Sequence, residues 1–401
     1  MPAEITMSQD PILPIMSLAE RDRRYANVRR EMAARGLDCL VMFQNTGEWD
    51  ACQPDARYLS CVGGGGTAVA LVFPADTDPI VIVREPRRAE YWKSAQNWVD
   101  DVRGTQNGHW GGTLVQAVRD VGCENKRIGV VGLAGVLRFP DGTVTDGELA
   151  VLRDELADAT FENATDFMHD LRLVKSAEEI AMIERAQQCA DAISDAIFEH
   201  ARPGITEHAL YAEMVAAHIR AEGEIPGMFL IGFGQAPNQT VLLPSMRALE
   251  ANDILICESE IKYGGYMAQS IESVCLGTPG RDYQQLYDAS LECFHVLLDA
   301  AKPGVPYAEL IRLWGEHMEK AGMRAAPTMG HGLGLGQDGP TTRPGADAQG
   351  TVIEAGHCYI LKPWATSRDG ERAVRAGNSI VIEETGARRL GRPEMSFRRL
   401  G

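Results

Sequence analysis

The sequence predicts an α+β protein in two parts, a small N-terminal α/β domain and a larger domain of antiparallel strands backed by helices. Three observations predict it. A chain of 401 residues is longer than one core usually serves. Its first part alternates short apolar runs with stretches of helical period. Its second part repeats one pattern, a long helix pair broken by Pro-Gly, at Pro203-Gly204 and again at Pro303-Gly304.

The elements follow in order. Residues 1–17 hold acids and prolines, without the basic-then-apolar pattern of a secretory leader, and are expected to form a flexible arm. Residues 20–35 place Tyr25, Val28 and Met32 at helical spacing before Gly36, a stop signal. Apolar runs at 38–43, 68–73, 79–83 and 126–131 predict strands. Residues 87–94, entered through Pro86, and 113–120 predict helices. The run Gly63-Gly64-Gly65-Gly66 reads as a turn, because neither a lysine nor a helix start follows it. The pattern changes near 166–175, which divides the chain into domains at 18–168 and 169–401. Helices are expected at 176–199, 206–222, 283–301 and 306–321, the first opened by a Ser176 cap with Glu178 and Glu179 in its first turn. Strands are expected at 254–260, 270–276, 358–363 and 379–383.

Composition narrows the function classes. Hydrophobic residues make up 45% and charged residues 24%, ordinary for a globular enzyme. The net charge of −17 argues against nucleic acid or an anionic membrane as partner. Nine scattered cysteines, odd in number and without a CxxC pair, read as buried reduced thiols of a cytoplasmic protein. No apolar run approaches the ~20 residues of a spanning helix.

Five segments then carry a resemblance: LRLVKSAEEIAMIERA (171–186), ANDILICESEIKYGGY (251–266), MGHGLGLGQDGP (329–340), IEAGHCYILKPW (353–364) and SIVIEETGARRL (379–390). In this order they resemble the pita-bread metallopeptidases (aminopeptidase P, prolidase, creatinase), and RYLS at 57–60 is similar to the creatinase-type N-terminal domain. The resemblance implies a C-terminal pita-bread fold. It also implies five metal-ligand positions, which match Glu258, Gln269, His331, Lys362 and Gly377 where the family has Asp, Asp, His, Glu and Glu. A dinuclear site needs several carboxylates to neutralise and bridge its cations. Lys362 puts an ammonium where an anion should stand. The stretch NQTVLLP (238–244) lacks the family's substrate-contacting histidine, and Asp338-Gly339 replaces the second pair of the histidine loop.

The expectation drawn from this is a metal-independent hydrolase of a non-peptide C–N bond (amidine, urea or amide-like) in a small polar molecule. Creatinases and ectoine hydrolases, implied by the resemblance, set the precedent. Glu258 and Glu260, two apart on one strand face, are the candidate base or nucleophile. His331 is the candidate acid/base or oxyanion donor, and Lys362 orients the carboxylates. Gln269, Glu272, Tyr266, Trp364 and Asp338 are candidate substrate contacts, and His357 reads as structural. No metal and no cofactor are expected. By analogy the chain forms a homodimer, with Trp49, Asp50 and Arg57 facing a neighbour's cavity. Three alternatives stand beside this: an Xaa-Pro aminopeptidase or dipeptidase dependent on a divalent metal such as Mn, Co or Zn, a non-catalytic binding module, and a lyase acting on a small zwitterion.

Overall fold

The first apolar runs become the centre of a mixed sheet. In the computed structural model the described residues are 14–44, 54–64, 67–135, 141–225, 228–235, 237, 243–336, 338–340, 350–392 and 394–401. Strands β1 (Cys39–Met42), β2 (Val69–Pro74), β3 (Ile80–Val83), β4 (Asp101–Gly104), β5 (Arg127–Val131) and β6 (Thr160–Asn163) lie in the order β4-β3-β2-β1-β5-β6. β1, β2 and β3 are buried along their whole length, which explains why they read as unbroken apolar runs. Around this sheet are α1 (Leu18–Arg35), α2 (Pro54–Ser60), α3 (Pro86–Ala95), α4 (Trp110–Asp120), α5 (Asp146–Glu155) and α6 (Thr165–Leu173). Ser17 caps α1 by accepting from the Glu20 amide, and Gly36 ends it in the left-handed region at φ 66°.

The chain forms two compact units, residues 1–173 with 335–338, and residues 174–334 with 339–401. The division after Leu173 falls slightly past the expected boundary. It also takes part of the histidine loop into the first unit.

The second unit opens on α7 (Ala177–His200), started by a reciprocal capping box between Ser176 and Glu179. α8 (Glu207–Arg220), β7 (Met228–Gly234), β8 (Ile254–Tyr263), β9 (Tyr266–Cys275), α9 (Arg281–Ala300) and α10 (Tyr307–Lys320) follow. Then come short strands: β10 (Arg324–Ala325), β11 (Gly330–Gly332), β12 (Cys358–Leu361), β13 (Trp364–Thr366), β14 (Ala373–Arg375), β15 (Asn378–Glu383), β16 (Gly386–Arg389) and β17 (Arg398–Arg399). The main sheet runs β11-β12-β15-β9-β8-β7, with β16 on β15 and β17 on β9, and β10-β13-β14 forms a small second sheet.

The duplication read from the punctuation is present in the hydrogen bonding. Gly204 and Gly304 both take positive φ, 94° and 88°. Their amides donate to Leu249 O (2.8 Å) and Ile353 O (2.9 Å), and each pair continues through a matching bridge, Thr206 to Ala248 and Pro306 to Val352.

Several expectations lie outside the described residues: positions 1–13 of the arm, Trp49, Asp50, Cys52, Gly65, Gly66 and positions 238–242. Arg57 was expected to face a neighbour. It is instead buried within the first unit, packed along Gly63. No helix among the described residues is long and apolar enough to cross a membrane.

Candidate active site

Two glycines fix the register that builds the site. The β8–β9 hairpin closes through Gly264 and Gly265, both at positive φ (58° and 81°), the two-residue turn that suits a twisted hairpin. Tyr263 then pairs with Tyr266, and counting back along the ladder sets Glu260 opposite Gln269 and Glu258 opposite Ile271. Glu258, Glu260 and Gln269 therefore share one face. β11 brings in His331, paired to Ile360 of β12, and Lys362 follows directly at the end of β12.

These five side chains meet in one buried network. The Lys362 ammonium donates to Glu258 Oε1 (2.6 Å) and Gln269 Oε1 (2.9 Å), and lies 3.4 Å from His331 Nε2. The Gln269 amide nitrogen donates to Glu260 Oε2 (2.7 Å) and stands 3.1 Å from His331 Nε2. His331 Nδ1 faces the Gly332 carbonyl at 2.9 Å. A carbonyl can only accept, so Nδ1 carries the proton and Nε2 presents its lone pair to the network.

A sixth member was missed in the sequence. Arg375 reaches Glu258 Oε2 at 2.8 Å, and its guanidinium stacks 3.8 Å from the centre of the Trp364 ring, its cross-strand neighbour. It stands two positions before Gly377, in the segment matched to the last metal glutamate. The signal was a cation on an otherwise apolar, buried strand. Glu258, Lys362 and Arg375 are only 3%, 4% and 2% exposed, so their pairing is not diluted by water. Burial pushes the Glu258 carboxyl up, but Lys362 and Arg375 outweigh it and hold it down at about 2. Burial lowers the Lys362 ammonium, as does nearby Arg375, and Glu258 opposes both.

Gly377 allows a close backbone approach beside Lys362. A Cβ there would lie 2.7 Å from Lys362 Cβ and 2.6 Å from the Leu361 carbonyl oxygen. A side chain at 377 is excluded by the Leu361–Lys362 backbone and by a Cβ that any residue but glycine would carry at 362.

Four expected contacts fall elsewhere. Glu272 is three residues beyond Gln269 and so faces the opposite side of β9. It lines a pocket with Asp191, Tyr287, Asn378, Arg392 and Arg398, where burial lifts its carboxyl to about 7 against the lowering effect of nearby Ser194 and the arginines. Tyr266, three residues before Gln269, also faces away, and its hydroxyl donates to Glu179 at 2.9 Å. Trp364 supports Arg375 within the core. Asp338 is engaged by Arg172 at 3.3 Å in the first unit. His357 bonds the Tyr359 hydroxyl, and burial lowers its imidazole to about 4.

With this geometry in place, comparisons with known proteins become informative. Residues 181–384 match the metallopeptidase family M24, and residues 24–174 match the creatinase/prolidase N-terminal domain. An Xaa-Pro dipeptidase of Lactobacillus helveticus is 28% identical over 218 residues, 53% of this chain and 58% of that protein. The chain therefore spans little more than half of that relative. An uncharacterized peptidase of Bacillus subtilis (strain 168), YqhT, is 24% identical over 363 residues, 88% of this chain and 94% of that protein. The crystal structure of an X-Pro aminopeptidase from Thermotoga maritima MSB8 superposes with a TM-score of 0.79 at 19% identity, covering 94% of this chain and 99% of that one. The fold is thus the pita-bread fold with a creatinase-type N-terminal domain.

These findings overturn two expectations. The family and its named relatives are peptidases, so the reading as a hydrolase of non-peptide C–N bonds is replaced. The expectation of no metal falls with it, because the family is one of metallopeptidases. Whether the side chains present fit such a metal is decided by their chemistry. Both Glu258 oxygens are taken by cations, and His331 Nε2 faces two nitrogen donors. Two carboxylates already balance one ammonium and one guanidinium. Among the described residues no group of three His, Cys, Asp or Glu side chains is placed to hold a metal ion. As arranged, the residues do not fit the metal pair, and no step is derived through one.

Proposed function

The chain belongs to metallopeptidase family M24, and on that premise we propose that it hydrolyses a peptide bond of the Xaa-Pro type in a short substrate. The observation that carries this reading is the single buried network of Glu258, Glu260, Gln269, His331, Lys362 and Arg375 on the strands of the matched domain. The similar Xaa-Pro dipeptidase and X-Pro aminopeptidase supply the substrate class.

Each residue takes a role from its partners. Glu258, held ionised by two cations, is a weak base and acts as a fixed negative charge. The lone pair on His331 Nε2 is the proton acceptor for an attacking water, and the Gly332 carbonyl keeps the ring in that tautomer. Lys362 and Gln269 are the donors able to meet negative charge as it develops on the carbonyl oxygen. Glu260 orients Gln269.

The test is proline release from Xaa-Pro dipeptides by the purified protein, with Mn(II), Co(II) or Zn(II) added in turn. Proline should appear, and should disappear in Glu258→Gln and His331→Ala variants that keep the native circular dichroism spectrum. Folded wild-type protein that releases no proline under any of these conditions would overturn the reading.

A further inference from the structure

The N-terminal unit holds a feature that the peptidase reading does not use. Cys39 begins β1, and Cys123 lies in the turn between α4 and β5. The turn folds back tightly: the Cys123 amide donates to Val118 O at 3.0 Å, and the Lys126 amide donates to Cys123 O at 3.2 Å. β5 then runs parallel to β1 with Ile128 paired to Cys39, which returns Cys123 to the start of β1. The Cys123 thiol lies 3.9 Å from the carbonyl of Asp38, the residue before Cys39, and 3.7 Å from that of Val121. Both side chains sit in one apolar cluster, and each thiol influences the other's titration. All eight described cysteines are reduced.

We propose that Cys39 and Cys123 form a reversible disulfide that staples the first strand of the N-terminal sheet to the end of α4 when the protein meets a peroxide. The chemistry runs in two steps. The Cys123 thiolate attacks hydrogen peroxide to give a sulfenic acid and hydroxide, which takes up the proton released by the thiol to form water. The Cys39 thiol then displaces a second water from that sulfenic acid as the S–S bond forms. Two thiols are oxidised by two electrons and one peroxide is reduced to two waters. The assignment of attacker and resolver follows burial and the influence of each thiol on the other. The neighbouring Cys123 and burial raise the Cys39 thiol, while neighbouring Cys39 lowers the Cys123 thiol against the opposing effect of its partial burial. Cys123 is also the rim member, 6% exposed against 0% for Cys39.

The experiment uses the full chain. Purified reduced protein is treated with hydrogen peroxide, its remaining thiols are alkylated under denaturing conditions, and peptides are mapped without reductant. The expected result is one peptide pair joined through Cys39 and Cys123, two fewer alkylated thiols, restoration by dithiothreitol, and a rise in melting temperature on oxidation. A Cys123→Ser variant should lose the joined pair and keep Cys39 alkylatable. Both cysteines alkylated in full after peroxide would overturn the proposal. So would a sulfinic or sulfonic acid at Cys123 with Cys39 still free. These readouts in the wild-type protein do not depend on a variant folding, nor on peptidase activity.

Discussion

Replacing Lys362 by methionine removes one cation from the network and keeps the length of the side chain. Glu258 would retain Arg375, but two carboxylates would then face a single guanidinium. Breaking a buried pair in this way costs about 3–5 kcal/mol, whereas loss of an exposed pair costs about 1 kcal/mol or less. The structure favours the larger figure, because Lys362 and Glu258 are 4% and 3% exposed and the bond between them is 2.6 Å. At roughly 2–4 °C per kcal/mol for a unit of this size, the melting temperature should fall by roughly 6–20 °C at pH 7. The pH dependence sharpens the test. The Glu258 carboxyl is depressed from 4.5 to about 2 in the folded protein, so its stabilisation is present above pH 4.5 and is lost as pH falls toward 2. In Lys362→Met the folded value rises, less stabilisation remains to be lost, and the gap between variant and wild type should narrow between pH 5 and pH 3. Urea unfolding followed by circular dichroism at both pH values measures it. A loss under about 1 kcal/mol at pH 7, the size seen for exposed pairs, would refute the reasoning. So would a gap that stays constant with pH.

Other expectations are simpler to state. Glu272→Gln should stabilise the protein at pH 8 and leave it little changed at pH 4, because a carboxyl raised from 4.5 to about 7 costs stability as pH rises through that interval; melting temperatures across pH 4–8 check the sign. Tyr266→Phe should cost about 1 kcal/mol through the lost bond to Glu179 and leave proline release unchanged, since the side chain faces away from the network. Gly377→Ala should destabilise by about 1–3 kcal/mol, because its Cβ meets the Leu361 carbonyl oxygen and the Cα and Cβ of Lys362; denaturation curves of variant and wild type measure the loss.

Most of the fold was legible because it is written in local signals. The unbroken apolar runs of β1 to β3, the Ser176–Glu179 capping box and the repeated Pro-Gly breaks each act through near neighbours in the chain. Elements whose identity depends on tertiary packing were missed. β6 is partly exposed and carries no alternation, and β10 and β17 are two residues each. The same distinction applies within the site. Strand parity was enough to put Glu258 and Glu260 on one face. The same parity on β9 turns Glu272 and Tyr266 away from Gln269.

Arg375 and Gly377 show what position-by-position matching leaves out. Each ligand slot was read alone, as an anion lost at 362 and another lost at 377. In the folded chain the two positions are neighbours: the Leu361–Lys362 backbone lies against Gly377, and the Lys362 ammonium reaches the Glu258 oxygen that Arg375 leaves open. Lys362 and Arg375 together neutralise Glu258 and Glu260, so the network is balanced only when all four are taken as a set. A single substitution at any of them therefore leaves an uncompensated charge in a buried space. Glutamate at 362 would set a third carboxylate beside Glu258 and Glu260 against Arg375 alone, so Lys362→Glu should be more destabilising at neutral pH than Lys362→Met, by an amount that shrinks as the carboxylates protonate.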